Sequence, residues 1–185
     1  MPASTPPLTV DRIVDVACRI IDRDGLAGLS MRKLGAELGV DPMAVYHHVP
    51  GKRELLTLVT AREIGAMAAP DAAAPWDERV RQWATGYWTL VAANRDLTLA
   101  GLSDASIAAG GIPSTEPLVE AIAASGIRTE LVEPTAFMVV DAIHGSALSV
   151  GSTNRPDGTP DALRAAFETG LEILLAGIRS QADRG

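Results

Sequence analysis

Cysteine is nearly missing from this 185-residue chain: Cys18 is the single one, which rules out an internal disulfide and any metal centre built from several thiolates. It falls among the apolar positions of the first helix, which suits a small core side chain better than a redox sensor. Aromatic residues are equally scarce, at 4%, so a hydrophobic content of 47% has to build its core mainly from Ala, Val, Leu and Ile. Only two lysines occur, Lys33 and Lys52. No stretch approaches the run of about 18 apolar residues that a membrane span requires. The opening MPASTPPLTV lacks both the basic start and the apolar run of a signal peptide, and a cytoplasmic location is expected. No strand pattern is evident, because the apolar runs are all of helical length.

What is present is concentrated between residues 30 and 53, SMRKLGAELGVDPMAVYHHVPGKR. Leu34, Leu38, Val40 and Val45 recur where two short helices joined by a tight turn must face each other. Gly35 sits where those helices cross, and Gly39 follows Leu38 where a left-handed backbone is cheapest without a Cβ. Asp41 can cap the second helix, with Pro42 at its first position. This is the spacing of a helix-turn-helix, which presents a short helix to the major groove of double-stranded DNA.

A net charge of −7 looks wrong for a DNA binder until the chain is divided. Residues 1–62 hold eight basic and seven acidic side chains, a balance of +1; the remaining eight basic and sixteen acidic give −8. Both lysines lie inside the helix-turn-helix segment. Phosphate contact depends on local sign, so the total is no obstacle.

Periodicity and turn residues predict an all-α protein with a helix-turn-helix domain over 1–50, of which 1–8 is a disordered lead. A helical ligand-binding and dimerisation domain over 51–185 follows, joined through a helix at 51–69. Helices are expected from Thr9 to about 23, from Ser30, over 42–48, over 76–93, in a short piece to 102, over 115–124, from Pro134 to 150 and over 161–180. A flexible loop is expected at 103–114 and an exposed turn region at 151–160. The two long C-terminal helices carry more apolar surface than one chain of this size covers easily. A four-helix interface between two identical chains is the expected solution, against the alternative of a monomer with both helices central.

A helix before the helix-turn-helix, a fourth opening at Gly51-Lys52-Arg53 and an acidic helical remainder resemble the TetR family of transcriptional regulators. The run LSMRKLGAELGVDPMAVYHHVPGKRELL carries that resemblance, above all Tyr46, His48 and Val49 followed by Lys52. The resemblance implies a homodimeric, ligand-released repressor of a palindromic operator. An activator or partner-regulated DNA-binding protein is the nearest alternative, and an enzyme or small-molecule carrier the alternative from another class. It further implies DNA-contacting roles for Arg32, Pro42, Met43, Ala44, Tyr46, His47, His48 and Lys52: Arg32 to bases or phosphate, Pro42, Met43 and Ala44 by apolar contact, Tyr46 and His47 to phosphate or base, His48 packed near the backbone, and Lys52 to phosphate. A solvated helix charge is the plainer reading of Arg32.

His47 and His48 point about 100° apart on a helix and cannot easily share an ion, so no metal is expected. Trp83, Tyr87, Leu90, Phe137, Asp141 and His144 are candidates to wall a cavity for a small-molecule effector, or else ordinary core. Asp141 and His144, three residues apart, lack a candidate nucleophile, so no catalysis and no cofactor are expected. Relative to tetracycline-binding members, Gly101 stands where a metal-ligating histidine would be, and Ala68 and Trp83 where polar drug contacts would be. A magnesium–tetracycline chelate is therefore not the expected ligand.

Overall fold

The computed structural model describes residues 7–111, 115–149 and 159–183. Ten α-helices and one 3-10 turn make up the described chain: α1 Val10–Asp24, the turn Leu26–Gly28, α2 Met31–Leu38, α3 Pro42–Tyr46, α4 Lys52–Gly65, α5 Trp76–Ala93, α6 Arg95–Ser103, α7 Ala105–Ala108, α8 Glu116–Ala123, α9 Thr129–Ala147 and α10 Pro160–Ala182. No strand occurs among the described residues, and no described helix is long and apolar enough to cross a membrane. The lead expected at 1–8 and the turn region expected at 151–160 lie largely outside the described residues.

The chain forms two compact units, one from residues 1–63 with 96–111 and the other from 64–95 with 112–185. A boundary at residue 50 is therefore not where the packing divides. Leu55, Leu56 and Val59 of α4 are buried in the first unit's core, beside Ile13, Ala17 and Ile20 of α1 and Leu34, Leu38 and Val45 of the helix-turn-helix. Leu97 of α6 and Ile107 of α7 complete that core, although both lie far beyond α4 in the chain. Where a mobile loop was expected after residue 102, Asp104 caps α7 by accepting from the Ser106 amide at 3.0 Å. Gly110 then approaches α4 so closely that a Cβ there would stand 2.3 Å from the Thr57 carbonyl oxygen.

The second unit packs α5 against α8 and α9, and α10 against α9 and α5. Its core holds Val80, Trp83, Trp88, Leu118, Ile122, Val139, Ile143, Phe167, Leu171 and Leu175. The Trp88 indole donates to Ser146 Oγ at 3.2 Å and its ring stacks on Phe167, with centroids 6.2 Å apart. At the rim, Arg81 forks onto Glu172 at 2.5 and 3.1 Å, while Arg179 pairs with Asp77 and lies over the Trp76 ring.

Helix α9 begins at Thr129, not at Pro134. A proline five residues inside a helix removes one ladder donor. The extra turn places Val132 in the core, 7% exposed, and packs Leu131 against it, and that burial outweighs one missing hydrogen bond. Helix α3 ends at Tyr46 and α4 at Gly65, both shorter than their expected spans.

Candidate functional site

The helix-turn-helix is built by three local devices. Ser30 Oγ accepts from the Lys33 amide at 3.2 Å and opens α2. Gly39 closes it in the left-handed region, φ 71° and ψ 30°, and the Val40 amide returns to the Gly35 carbonyl at 3.0 Å. Asp41 Oδ1 then accepts from the Met43 amide at 2.8 Å and restarts the chain as α3, with Pro42 in its first turn. The crossing is tight: a Cβ on Gly35 would lie 3.1 Å from the Pro42 backbone and from the Val40 carbonyl oxygen.

These devices fix which side of α3 faces inward. Val45 and Val49 are fully buried, whereas Met43 is 62% and Tyr46 41% exposed. His47 and His48 are exposed, and Pro42 and Ala44 half-buried. Met43, Tyr46 and His47 thus share the outward face at spacings of three and four residues. His48 is open to solvent just beyond the end of the helix. Arg32, in the first turn of α2, is exposed.

Lys52 is arranged differently from a simple free cation. Its Nζ donates to the Leu29 carbonyl oxygen at 2.8 Å and more weakly to that of Leu26 at 3.4 Å. The ammonium therefore ties the start of α4 to the turn preceding α2, with one donor direction left over. Sequence spacing cannot show this contact, because the two segments are 23 residues apart. Lys33 is engaged too, at 2.7 Å from Asp24, which also takes Arg23 at 2.8 Å. These cations hold the Asp24 carboxyl down at about 2.

Three of the six cavity candidates come together in the second unit. Tyr87 Oη and His144 Nε2 are 2.9 Å apart, and the Tyr87 ring stands 5.0 Å from that of Trp83 and 5.6 Å from that of His144. Burial raises the Tyr87 pKa; burial also lowers that of His144, against an upward pull from the Asp141 charge. Leu90 is half-buried, Asp141 is exposed, and Phe137 is 65% exposed, away from the cluster's core.

A cavity of about 620 Å³ opens elsewhere on the same unit. Its walls are Met67, Ala68 and Ala69 beyond α4, with Gln82, Thr85, Gly86 and Thr89 along α5 and Glu78 and Arg81 at one end. None of the six candidates lines it. Thr85, Gly86 and Thr89 lie on the α5 face that apolar periodicity leaves out, so a search for apolar walls passes over them. No cluster of potential metal ligands is found among the described residues.

Residues 13–59 match the pattern described as bacterial regulatory proteins, tetR family. Over 57 residues the chain is 54% identical to the HTH-type transcriptional repressor DrrR1 of Streptomyces coeruleorubidus, a match covering 31% of this chain and 21% of that relative's length. Over nearly all of both chains the fold matches solved structures. ActR of Streptomyces coelicolor in complex with actinorhodin has a TM-score of 0.77 and 27% identity, covering 95% of this chain and 99% of that one. BioQ, a Mycobacterium smegmatis protein, with its double-stranded DNA operator has a TM-score of 0.73 and 28% identity, covering 94% and 99%. The match over α1–α4, the capped helix-turn-helix that it contains and the likeness of the whole helical layout agree: residues 13–59 match the tetR family of bacterial regulatory proteins, and the described chain shares its fold with the TetR family protein ActR.

Proposed function

We propose that this chain is a one-component transcriptional regulator, a repressor that holds a palindromic DNA operator as a homodimer and releases it when a small molecule binds the second unit. The observation that carries the reading is the outward face of α3. Met43, Tyr46 and His47 project from a helix too short to stand alone, held rigid by Val45 and Val49 buried beneath it. Pro42, Ala44 and His48 flank that face, and Arg32 and Lys52 supply cations at its edges. In this reading Tyr46, Arg32 and the remaining donor of Lys52 grip phosphates while α3 lies in the groove.

Dimer formation is supported by the outer stripe of α9 and α10. Phe137, Met138 and Ile173 are 65%, 54% and 70% exposed, and around them stand Ala142, Gly145, Ala166 and Gly177, all exposed. Lysine and arginine are absent from these positions, and small residues allow two helix pairs to approach closely. The effector site is the 620 Å³ cavity, a volume that suits a drug-sized ligand. Its polar groups are few and partly spent: Gln82 accepts from the Asp71 amide at 2.8 Å and donates to Glu78 at 3.2 Å. That character suits a largely apolar molecule. Trp83, Tyr87 and Leu90 act in this reading as the packed far side of α5, with His144 of α9 against them.

Release follows from how the first unit is assembled. Residues 96–111 come directly after α5 in the chain, yet they complete the core around α4. Thr57 Oγ1 donates to the Ser106 carbonyl at 3.0 Å, and Arg53 pairs with Asp104 at 3.1 Å. A ligand that moves α5 therefore acts on α4 through α6 and α7 as well as through the direct connection.

The test is binding to operator duplexes selected from genomic fragments. Affinity should fall steeply as salt rises, since each neutralised phosphate recovers its counterions. Tyr46→Ala and Arg32→Ala should each weaken binding about tenfold, by the loss of roughly one to two kcal/mol, with the dimer intact. Binding unchanged in both variants would retire α3 as the DNA-reading element.

A further inference from the structure

The first turn of α3 is poor in hydrogen-bonding chemistry. Pro42, Met43 and Ala44 carry no side-chain donor or strong acceptor. Asp41, just ahead, is committed to the Met43 amide at 2.8 Å and serves the fold. Among the described residues of the first unit Met43, at 62%, is the most exposed large apolar side chain, and it stands on the same face as Tyr46 and His47. An unbranched thioether so placed makes no use of the donors and acceptors on base edges. The one apolar feature that a base pair shows in the major groove is the C5-methyl group of thymine.

We infer that Met43, flanked by Ala44, selects a thymine in each operator half-site through its C5-methyl group, so that this step of recognition is methyl reading and not hydrogen bonding. The inference rests on the DNA-binding reading above and specifies what α3 reads. Met43 is suited to the task because its side chain is long, flexible and polarizable enough to close over a methyl group. Ala44 keeps the helix from standing off the base edge. A cytosine methylated at C5 carries the same group in the same place, so a methylated C·G pair should recover part of the affinity that an unmethylated one loses.

Deoxyuridine tests this cleanly, because it keeps every hydrogen bond of thymine and removes only the methyl group. Duplexes are selected from a random-sequence pool by the full-length protein, and each thymine of the chosen duplex is then replaced singly. One thymine per half-site should show a loss of about fourfold, and the symmetric pair together about fifteenfold, the worth of one buried methyl group per half-site. In Met43→Ala the unmodified duplex should bind more weakly, and the deoxyuridine penalty at that position should vanish. Met43→Leu, which restores an apolar contact, should restore the penalty. Circular dichroism of the variants should match wild type, since Met43 supports nothing beneath it.

The inference falls if no thymine is methyl-sensitive, or if the penalty persists undiminished in Met43→Ala. Failure of the underlying reading looks different: no duplex is enriched by selection, or retention is indifferent to salt.

Discussion

Cys18 shows how far a single side chain can depart from its free chemistry. Burial, and then the neighbouring Glu63 carboxylate, push its thiol up to about 12. At pH 8 the reactive thiolate is therefore almost absent, and alkylation by iodoacetamide should be far slower in the native protein than in denaturant. Labelling at equal rates in both would show that the side chain is not enclosed. His144 makes a second prediction. Its pKa lies below the ordinary histidine value because burial penalises the cation. The unfolded chain then binds the proton more readily than the folded one, so stability is full above about pH 6.5 and erodes as pH falls through that value. Protonation would also forfeit the Nε2 lone pair, if Tyr87 donates to it at 2.9 Å. Urea midpoints measured from pH 7.5 to 5 should decline in the native protein and decline less steeply in His144→Gln.

At the scale of the element, the glycines of the first unit separate into conformational and steric cases. Gly39 needs its left-handed backbone, and a Cβ there meets nothing within 4 Å. Gly39→Ala should therefore cost about 1 kcal/mol, from backbone strain alone. Gly35 has an ordinary backbone but faces the restart of α3 at 3.1 Å, and Gly110 has backbone oxygen at 2.3 Å. Gly110→Ala should cost more, about 1–3 kcal/mol, because the carbonyl it meets belongs to α4 and cannot rotate away like a side chain. Equal thermal midpoints for wild type and Gly110→Ala would show that α7 stands away from α4.

The same elements show what was legible in the sequence. Caps and glycines identify α1 and the starts of α2 and α3 nearly to the residue, because a helix terminus is set by local hydrogen bonds that neighbouring residues supply. Trp76–Ala93 is found for the same reason: proline before it and asparagine after it. The start of α9 is missed because Pro134 looks like a beginning, and the burial that lets the helix run past it depends on partners distant in sequence. Helix α7 is missed because four residues have no period to read. At the site, the outward face of α3 follows from spacing, whereas the engagement of Lys52 with Leu29 does not. The cavity proposed as the effector site lies on a mixed face of α5, where Thr85, Gly86 and Thr89 give no periodic signal.

For the whole molecule, the assembly prediction is the sharpest. Ile173→Glu or Phe137→Asp places a charge in the proposed interface without disturbing either core, since both side chains are outside it. Sedimentation at micromolar concentration should show wild type as a dimer and each variant shifted towards monomer, with operator affinity lost in step. A wild-type monomer would end the four-helix interface.

The interleaving of the two units has a practical consequence for anyone wishing to dissect or recombine this protein. A fragment ending at residue 63 would lack Leu97 and Ile107 and would expose the side of α4 that they cover. Such a fragment should be sticky and poorly expressed. Grafting this reading head onto a foreign sensor would demand three splice points, with the 96–111 insert carried along as part of the head.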